Sequence, residues 1–219
     1  MPTISLTAAD GHRLTAYRAG PQNAGRALVV VQEIFGVNRH IRNVCERFAA
    51  EGYAVIAPAL FDRVGPGIEL GYEAADVAQG RELRGKIPDG LTLLDVLAAA
   101  AALPRGAKRG IVGYCWGGTV TWHGATRTSA FAAASGWYGG GIAAAKDETP
   151  RCPVQLHFGE QDASIPMTDV AAIRAAQPGV DLHVYGGGHG FGCDERGSYV
   201  EADYALAQKR TLEFFAKHL

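Results

Sequence analysis

The sequence predicts an α/β protein with a mostly parallel central sheet that is covered by helices on both faces. Short apolar runs rich in β-branched residues alternate with longer helix-like segments along all 219 residues. This alternation is typical of parallel strands joined by crossover helices. The runs at 27–31 and 53–57 are apolar at nearly every position, as expected for strands buried on both faces. Gly52 and Pro58 bound the second of these runs.

The predicted elements follow one another without an internal repeat or a linker. Strands are predicted at 3–8, 13–18, 27–31, 53–57, 108–114, 131–138, 154–158 and 181–185. Helices are predicted at 39–51, 72–86, 90–103, 119–127, 167–177 and 202–219. A chain of this length is expected to form a single domain over residues 1–219.

Local signals in the first half support this order. Alternating apolar and polar residues around Asp10 and Gly11 predict an edge hairpin from the first two strands. Asn38 is a candidate N-cap for the first helix, and Gly52 ends that helix. The segment 72–86 has helical composition but a poor apolar face. It is therefore either a mobile lid or a helix packed at an edge.

The strand at 108–114 leads into residues 113–118, which read Gly-Tyr-Cys-Trp-Gly-Gly. This is the G-x-nucleophile-x-G pattern of a nucleophile elbow, with Cys115 where serine is usual. Such a turn from strand to helix is so sharp that side chains on both flanks would clash, so glycines are needed. The central residue lies at a helix N-terminus, where the dipole favours an anion. By this pattern alone, Cys115 is either a reactive thiol or a buried thiol in a glycine-rich turn.

Four reactive side chains each follow a predicted strand, namely Glu33, Cys115, Asp162 and His189. Because ligands bind at the carboxyl ends of parallel strands, we expect these side chains to gather at one edge of the sheet. Nucleophile, acid and histidine also occur in the chain order of α/β-hydrolases. Two alternatives stay open: Asp162 is a turn or N-cap residue, and His189 is a histidine in a surface loop.

The last three of these residues predict covalent catalysis through a thioester. The thiolate of Cys115 attacks an acyl carbon, His189 takes and returns the proton, and Asp162 fixes the histidine tautomer and supports the imidazolium. An oxyanion hole requires two backbone N–H groups. Trp116, which follows the nucleophile, and Ile34, in the loop after the third strand, are the residues predicted to supply them.

Composition argues against several other classes of protein. The net charge of -1 gives no sign of nucleic-acid or membrane-surface binding. No stretch has the apolar length that spans a bilayer, and the N-terminal residues lack the basic and apolar regions of a signal peptide. The four cysteines form no C-x-x-C pair. We therefore expect a cytoplasmic monomer or small homo-oligomer without disulfides, metal or cofactor.

The chain resembles the dienelactone hydrolase family (carboxymethylenebutenolidases), a cysteine-using branch of the α/β-hydrolases. The matching segments span most of the chain: 32–38 (Gln-Glu-Ile-Phe-Gly-Val-Asn), 113–118, 159–162 (Gly-Glu-Gln-Asp), 188–191 (Gly-His-Gly-Phe) and 210–215. The resemblance implies an α/β-hydrolase fold; we expect no large cap domain. It also implies cofactor-independent hydrolysis of dienelactone to maleylacetate, within bacterial breakdown of chloroaromatics.

The resemblance further implies a role for Glu33. In the family, the glutamate of the Gln-Glu-Ile-Phe-Gly segment lies near the cysteine and holds it as a neutral thiol until substrate arrives. This is physically coherent, because a nearby carboxylate disfavours the thiolate and can accept the S–H. The alternative is that Glu33 pairs with Arg39 or Arg42.

The residues expected to bind substrate depart from the family pattern. The family holds the lactone carboxylate with arginines, one of them a few residues after the histidine, but here no arginine follows His189 until Arg196. Arg81 is the candidate for a second, in the region of Arg81 and Arg84, and Tyr138 is a pocket wall or a turn aromatic. We expect a hydrolase of a small lactone or activated ester. The alternatives are another carboxylesterase, thioesterase or acyl transferase, or a non-catalytic binder of small molecules.

Overall fold

The computed structural model describes residues 2–219. Within this range the chain forms eight β-strands, six α-helices and two short 3-10 helices. Its contacts divide it into two units, one ending at Ile111 and the other beginning at Val112, and the single domain stays a prediction. Across the described range, no helix combines the length and the apolar character needed to cross a lipid bilayer.

The first unit contains four strands and three α-helices. The strands are β1 (Thr3–Thr7), β2 (Arg13–Ala19), β3 (Arg26–Val31) and β4 (Ala54–Pro58). The helices are α1 (Arg39–Ala50), α2 (Ala74–Gly85) and α3 (Asp89–Ala101), and a 3-10 helix spans Leu60–Arg63. The strands lie in the order β1-β2-β4-β3. Strands β1 and β2 pair antiparallel, which confirms the hairpin, whereas β3 and β4 pair in parallel.

Helix α1 begins where the sequence predicts and ends one residue earlier than predicted, at Ala50. Asn38 accepts a hydrogen bond from the backbone N–H of Ile41 at 3.3 Å and so satisfies one of the first donors of the helix. Gly52 follows the C-terminal end with φ 85°, in the left-handed region that glycine tolerates best. Val44 and Phe48 lie on the buried face.

The second unit carries the later strands of the sheet. Strand β5 (Lys108–Tyr114) leads into it, and β6 (Ala133–Trp137), β7 (Val154–Gly159) and β8 (Asp181–Tyr185) lie in that order. Its helices are α4 (Trp116–Arg127), α5 (Met167–Ala176) and α6 (Glu201–His218), with a 3-10 helix at Ala143–Ala145. Strands β6, β7 and β8 are parallel, and Gly159 lies opposite Tyr185. The turns that follow β7 and β8 therefore start side by side.

The start predicted for α4, at residue 119, is wrong by three residues. The helix begins at Trp116, so Gly117 and Gly118 lie in its first turn and not in the loop. A Cβ on Gly118 would lie 2.5 Å from the carbonyl oxygen of Trp137. The glycine therefore allows the helix to pack directly on the end of β6, despite its low helix propensity.

Helix α2 packs on the loop that follows β3, which decides between the two readings of segment 72–86. Gly80 is the buried residue of this helix. A Cβ at Gly80 would lie 2.1 Å from the carbonyl oxygen of Ile34, so helix and loop touch through backbone atoms. The segment is a packed helix that supports the loop carrying Glu33 and Ile34.

We expect Gly80→Ala to lower the free energy of unfolding by about 1–3 kcal/mol, because the added methyl group must push α2 off the loop. Urea unfolding followed by circular dichroism measures this loss. The matched control is Gly85→Ala in the same helix, where no atom lies within 4 Å of the added Cβ. The control should leave stability unchanged or raise it, and equal losses in both variants would contradict the close contact at Gly80.

Candidate active site

Cys115 lies at the tight turn between β5 and α4. Its backbone has φ 56° and ψ -116°, an arrangement that residues with a Cβ rarely adopt. Among residues 2–219, Cys115 shares a positive φ with one other non-glycine residue, Tyr138. A Cβ on Gly113 would lie 2.1 Å from the carbonyl oxygen of Gly117. The glycines of the motif are therefore required by the close approach of the strand and the helix.

The structure brings Cys115, Asp162 and His189 together in one hydrogen-bonded chain. The turn after β7 supplies Asp162, and the turn after β8 supplies His189. Nδ1 of His189 lies 2.7 Å from Oδ2 of Asp162, and Nε2 lies 3.1 Å from Sγ of Cys115. This is the geometry in which an acid orients a base and the base contacts a nucleophile.

Asp162 also serves as the turn residue that the sequence left open. Its second oxygen, Oδ1, accepts the backbone N–H of Ser164 at 2.8 Å, while Oδ2 faces His189. The carboxylate has no solvent exposure. Because each oxygen has its own partner, the side chain is fixed in one orientation, and the two interpretations of Asp162 hold together.

The loop of His189 is held by a residue that sequence reasoning missed. The hydroxyl of Ser198 donates a hydrogen bond to the carbonyl oxygen of His189 at 2.7 Å. Gly190 has φ 77°, and a Cβ there would lie 2.6 Å from Nη1 of Arg196. The guanidinium of Arg196 therefore packs against the residue that follows the histidine. Nothing in the sequence marks Ser198, because its role depends on a loop that folds back over nine residues.

Electrostatics favour the protonated form of His189. Burial opposes the charge, but hydrogen bonds to Asp162 and Cys115, together with their negative charges, raise the pKa of His189 from 6.5 to about 10. The imidazolium is therefore the form expected at neutral pH. It places a positive charge beside Sγ of Cys115.

In the first unit, Glu33 is a fully buried carboxylate. The hydroxyl of Tyr72 donates to its Oε2 at 3.3 Å, and the side-chain amide of Asn38 donates to the Tyr72 oxygen at 3.0 Å. A buried carboxylate needs such donors because its desolvation is costly. Tyr72 was not among the predicted site residues, since it lies in a segment whose packing the sequence left open. The gating role of Glu33 stays a prediction.

The remaining candidates have different settings. Arg81 is exposed on α2, and Arg84 forms an ion pair with Asp89 at 2.7 Å. Arg42 donates to Glu69 at 2.6 Å. The substrate-binding role of Arg81 therefore stays a prediction.

The structure also gives the positions of the two residues predicted to supply the oxyanion hole. Trp116 is the first residue of α4, at the positive end of the helix dipole. Ile34 turns its carbonyl oxygen towards Gly80, within the first unit. Tyr138 is fully buried, and its ring centroid lies 5.4 Å from that of His189.

In α/β-hydrolases, a strained strand-to-helix turn carries the nucleophile, and the acid and the histidine follow later strands. Cys115, Asp162 and His189 occupy these positions in this chain. The fold class predicted from the sequence is confirmed. The chain belongs to the dienelactone hydrolase family, whose family model matches residues 14–219. It is a hydrolase of that family.

Individual relatives cover nearly the whole chain. A Synechocystis protein named as a candidate carboxymethylenebutenolidase is 36% identical and aligns over 94% of this chain and 93% of its own length. The carboxymethylenebutenolidase of Pseudomonas putida is 32% identical over 97% of this chain and 95% of its own. The crystal structure of a candidate dienelactone hydrolase from Klebsiella pneumoniae has a TM-score of 0.82 at 34% identity, covering 98% and 99% of the two chains.

We expect His189 to stay protonated at neutral pH and to release its proton near pH 10. Asp162→Asn removes a negative charge that stabilises the imidazolium, so proton release should move to lower pH. NMR titration of the His189 ring protons measures the shift. Glu160→Gln, which removes an exposed carboxylate from the same turn, is the control and should leave the titration unchanged.

The raised pKa of His189 also makes the stability of the folded chain depend on pH. Because the folded chain raises the pKa of His189 above 6.5, its stabilising contribution is complete below that pH and is lost as the pH rises through about 10. Asp162→Asn should reduce this dependence on pH in thermal unfolding. An unaltered titration in Asp162→Asn would contradict the origin assigned to the raised pKa.

Proposed function

We propose that this chain hydrolyses a small lactone or activated ester through a thioester on Cys115. The observation that carries the proposal is the unbroken chain of contacts from Asp162 through His189 to Sγ of Cys115. Membership of the dienelactone hydrolase family supports the substrate class. The name carboxymethylenebutenolidase, which the relatives bear, denotes hydrolysis of a lactone.

The first step activates the thiol. In the resting enzyme, the Glu33 carboxylate keeps Cys115 as a neutral thiol by accepting its S–H. When substrate arrives, the proton passes from Sγ to the carboxylate, and a thiolate is left beside the imidazolium of His189. The raised pKa of His189 supports the pairing of imidazolium and thiolate, because the negative charges of Asp162 and Cys115 both contribute to the shift.

Acylation follows. The thiolate attacks the acyl carbon, a C–S bond forms, and the carbonyl oxygen becomes an oxyanion. The backbone N–H groups of Trp116 and Ile34 are the proposed donors to this oxyanion. As the oxyanion collapses, the C–O bond of the ester breaks, and the leaving oxygen takes a proton from His189. In a lactone the leaving alcohol stays attached to the acyl group, so the ring opens.

Deacylation uses the histidine in its neutral form. His189 takes a proton from a water molecule as the water oxygen attacks the thioester carbon. The C–S bond breaks, the carboxylic acid leaves, and the thiolate is restored beside the imidazolium. Glu33 then returns its proton to Sγ. The net reaction adds one water across one acyl–oxygen bond, so no cofactor is needed.

The choice of an activated acyl group follows from the nucleophile. A thiolate attacks acyl carbons readily, but it is also a better leaving group than an ordinary alkoxide. If the alcohol is a poor leaving group, the tetrahedral intermediate expels the Cys115 thiolate and reforms the ester, so no product forms. Enol lactones and aryl esters react further because the enol or phenol that leaves is a stronger acid than an ordinary alcohol. Ordinary alkyl esters are therefore expected to be poor substrates.

Substrate charge is the second determinant. Arg196 is the proposed partner for a substrate carboxylate, because its guanidinium packs against Gly190, directly after His189. An arginine offers two parallel donors to a carboxylate, which a lysine does not. A panel of lactones and esters tests this: dienelactone, which carries a carboxylate, should have a lower KM than a neutral enol lactone of the same size.

Brief exposure to p-nitrophenyl acetate should place one acetyl group on Cys115, detected by mass spectrometry after acid quenching. Cys115→Ala should lose the adduct and lower kcat at least about a thousandfold on this ester and on dienelactone, because the nucleophile is removed. Cys152→Ala is the control. Burial raises the pKa of the Cys152 thiol to about 11, so that thiol should not react and the variant should keep full activity.

Full activity in Cys115→Ala would overturn the proposal. The other functions considered give distinct results in the same experiment. Acetyl transfer from Cys115 to an alcohol in preference to water identifies an acyl transferase. Binding of lactones without any adduct or turnover identifies a non-catalytic member.

Glu33→Gln should allow iodoacetamide to alkylate Cys115 at a lower pH than in the wild type, because the charge that disfavours the thiolate is lost. The rate of alkylation measured across pH tests this. Glu51→Gln changes an exposed carboxylate at the end of α1 and serves as the control. Identical pH profiles for Glu33→Gln and the wild type would show that the gating role of Glu33 is wrong.

A further inference from the structure

The end of β6 contacts both the nucleophile turn and the strand that leads to the acid. The peptide unit that joins Trp137 to Tyr138 is hydrogen-bonded on both sides. Its carbonyl oxygen accepts the backbone N–H of Cys115 at 3.0 Å, and its N–H donates to the carbonyl oxygen of His157 in β7 at 2.7 Å. A single peptide plane therefore ties the backbone of the nucleophile to the strand that carries Asp162.

This peptide plane fixes Tyr138 in a strained conformation. Tyr138 has φ 38°, although it is neither glycine nor one of the small polar residues that tolerate positive φ. In the described chain it shares this property with Cys115, the residue proposed as the nucleophile. Strain of this kind persists where the surrounding structure holds it and is often found at functional sites.

The strained backbone directs the Tyr138 ring into an aromatic cluster at the histidine. The ring is fully buried. It meets His189 at a centroid distance of 5.4 Å and an interplanar angle of 62°, and it meets Phe191 at 5.5 Å and 72°. It also contacts Tyr114, the residue before Cys115, at 6.2 Å. These distances are those of edge-to-face aromatic pairs.

We propose that Tyr138 is a positioning residue whose ring holds the imidazole of His189 in line with both Asp162 and Cys115. The inference rests on the proposed function, because it assigns a purpose to the alignment of the triad. The imidazole makes one hydrogen bond to Asp162 and one to Cys115. Both bonds keep their geometry only while the ring does not rotate about its side-chain bonds. A ring packed across the imidazole blocks that rotation without taking a hydrogen bond from either nitrogen.

This role differs from that of a pocket wall. A wall would affect substrate binding, whereas a support for His189 affects the steps in which the histidine transfers a proton. The titratable or charged groups that contact or flank the His189 loop within the second unit include Cys115, Asp162, Tyr138 and Arg196. They also include Asp203, whose carboxylate accepts the backbone N–H of Gly187 at 2.8 Å. Of these, Tyr138 contacts the imidazole with its aromatic ring.

The test compares Tyr138→Leu with Tyr138→Phe. Leucine removes the aromatic ring, and we expect kcat on p-nitrophenyl acetate to fall about ten- to a hundredfold while KM stays within about twofold, because a small misplacement of a catalytic group costs this much. Phenylalanine keeps the ring and should keep kcat within about twofold. The NMR signal of the His189 Nδ1 proton, shared with Asp162, should persist in Tyr138→Phe and broaden by solvent exchange in Tyr138→Leu.

Tyr185→Leu controls for lost packing. Tyr185 stacks on the same Phe191 at 5.0 Å, but its hydroxyl contacts His157, outside the triad. This variant should lower the melting temperature without changing the Nδ1 signal. If Tyr138→Leu does not fold, Tyr138→Met replaces it, since methionine adapts its shape to the space left by the ring.

A rise in KM with unchanged kcat would overturn the inference and make Tyr138 a pocket wall. Unchanged kinetics in Tyr138→Leu would make it a turn aromatic. Either result, obtained while Cys115→Ala remains inactive, rejects the positioning role and leaves the proposed hydrolysis through Cys115 intact. Full activity in Cys115→Ala would instead reject the proposed function itself.

Discussion

The constraint on which the site depends is the sharp turn at Cys115. A strand must pass into a helix within one residue, so that residue takes a strained conformation with a φ of 56°. The chain tolerates this only because Gly113 and Gly118 leave backbone atoms in direct contact. The carbonyl oxygen of Trp137 then holds the N–H of Cys115, which joins the turn to the next strand. Backbone geometry thus fixes the turn that carries the thiol.

Charge is arranged around this fixed point by hydrogen bonding. Asp162 is fully buried and uses one oxygen for the backbone of its own turn, so its other oxygen has a defined direction towards His189. The imidazolium that results is stabilised despite burial, because the carboxylate and the thiol both face it. Glu33 shows the same principle in the first unit, where Tyr72 donates to the buried carboxylate and Asn38 donates to the Tyr72 hydroxyl. In each case a backbone or side-chain donor fixes the acid.

The fold was largely predictable because its signals are local. The β-branched runs of β3 and β4, the cap at Asn38 and the glycine at 52 each report on neighbours within a few residues, and all correspond to observed features. The predicted start of α4 was wrong because Gly117 and Gly118 were assigned to the turn. Gly118 packs against the end of β6, and no local pattern shows this contact. The packing of α2 was undecided for a related reason, since its buried residue is a glycine and leaves no apolar stripe.

The sequence by itself determined the fold class, the order of the elements and the choice of Cys115, Asp162 and His189 as candidate site residues, because a glycine-flanked elbow and reactive residues after strands are patterns along the chain. Only the tertiary structure decided the distances between them, the raised pKa of His189 and the parts played by Ser198 and Tyr72. The strain at Tyr138 and its contact with His189 were equally hidden, since both arise from strands far apart in sequence. The sequence pattern determines which side chains follow the carboxyl ends of the strands. Packing and hydrogen bonds between distant segments fix how those groups face one another.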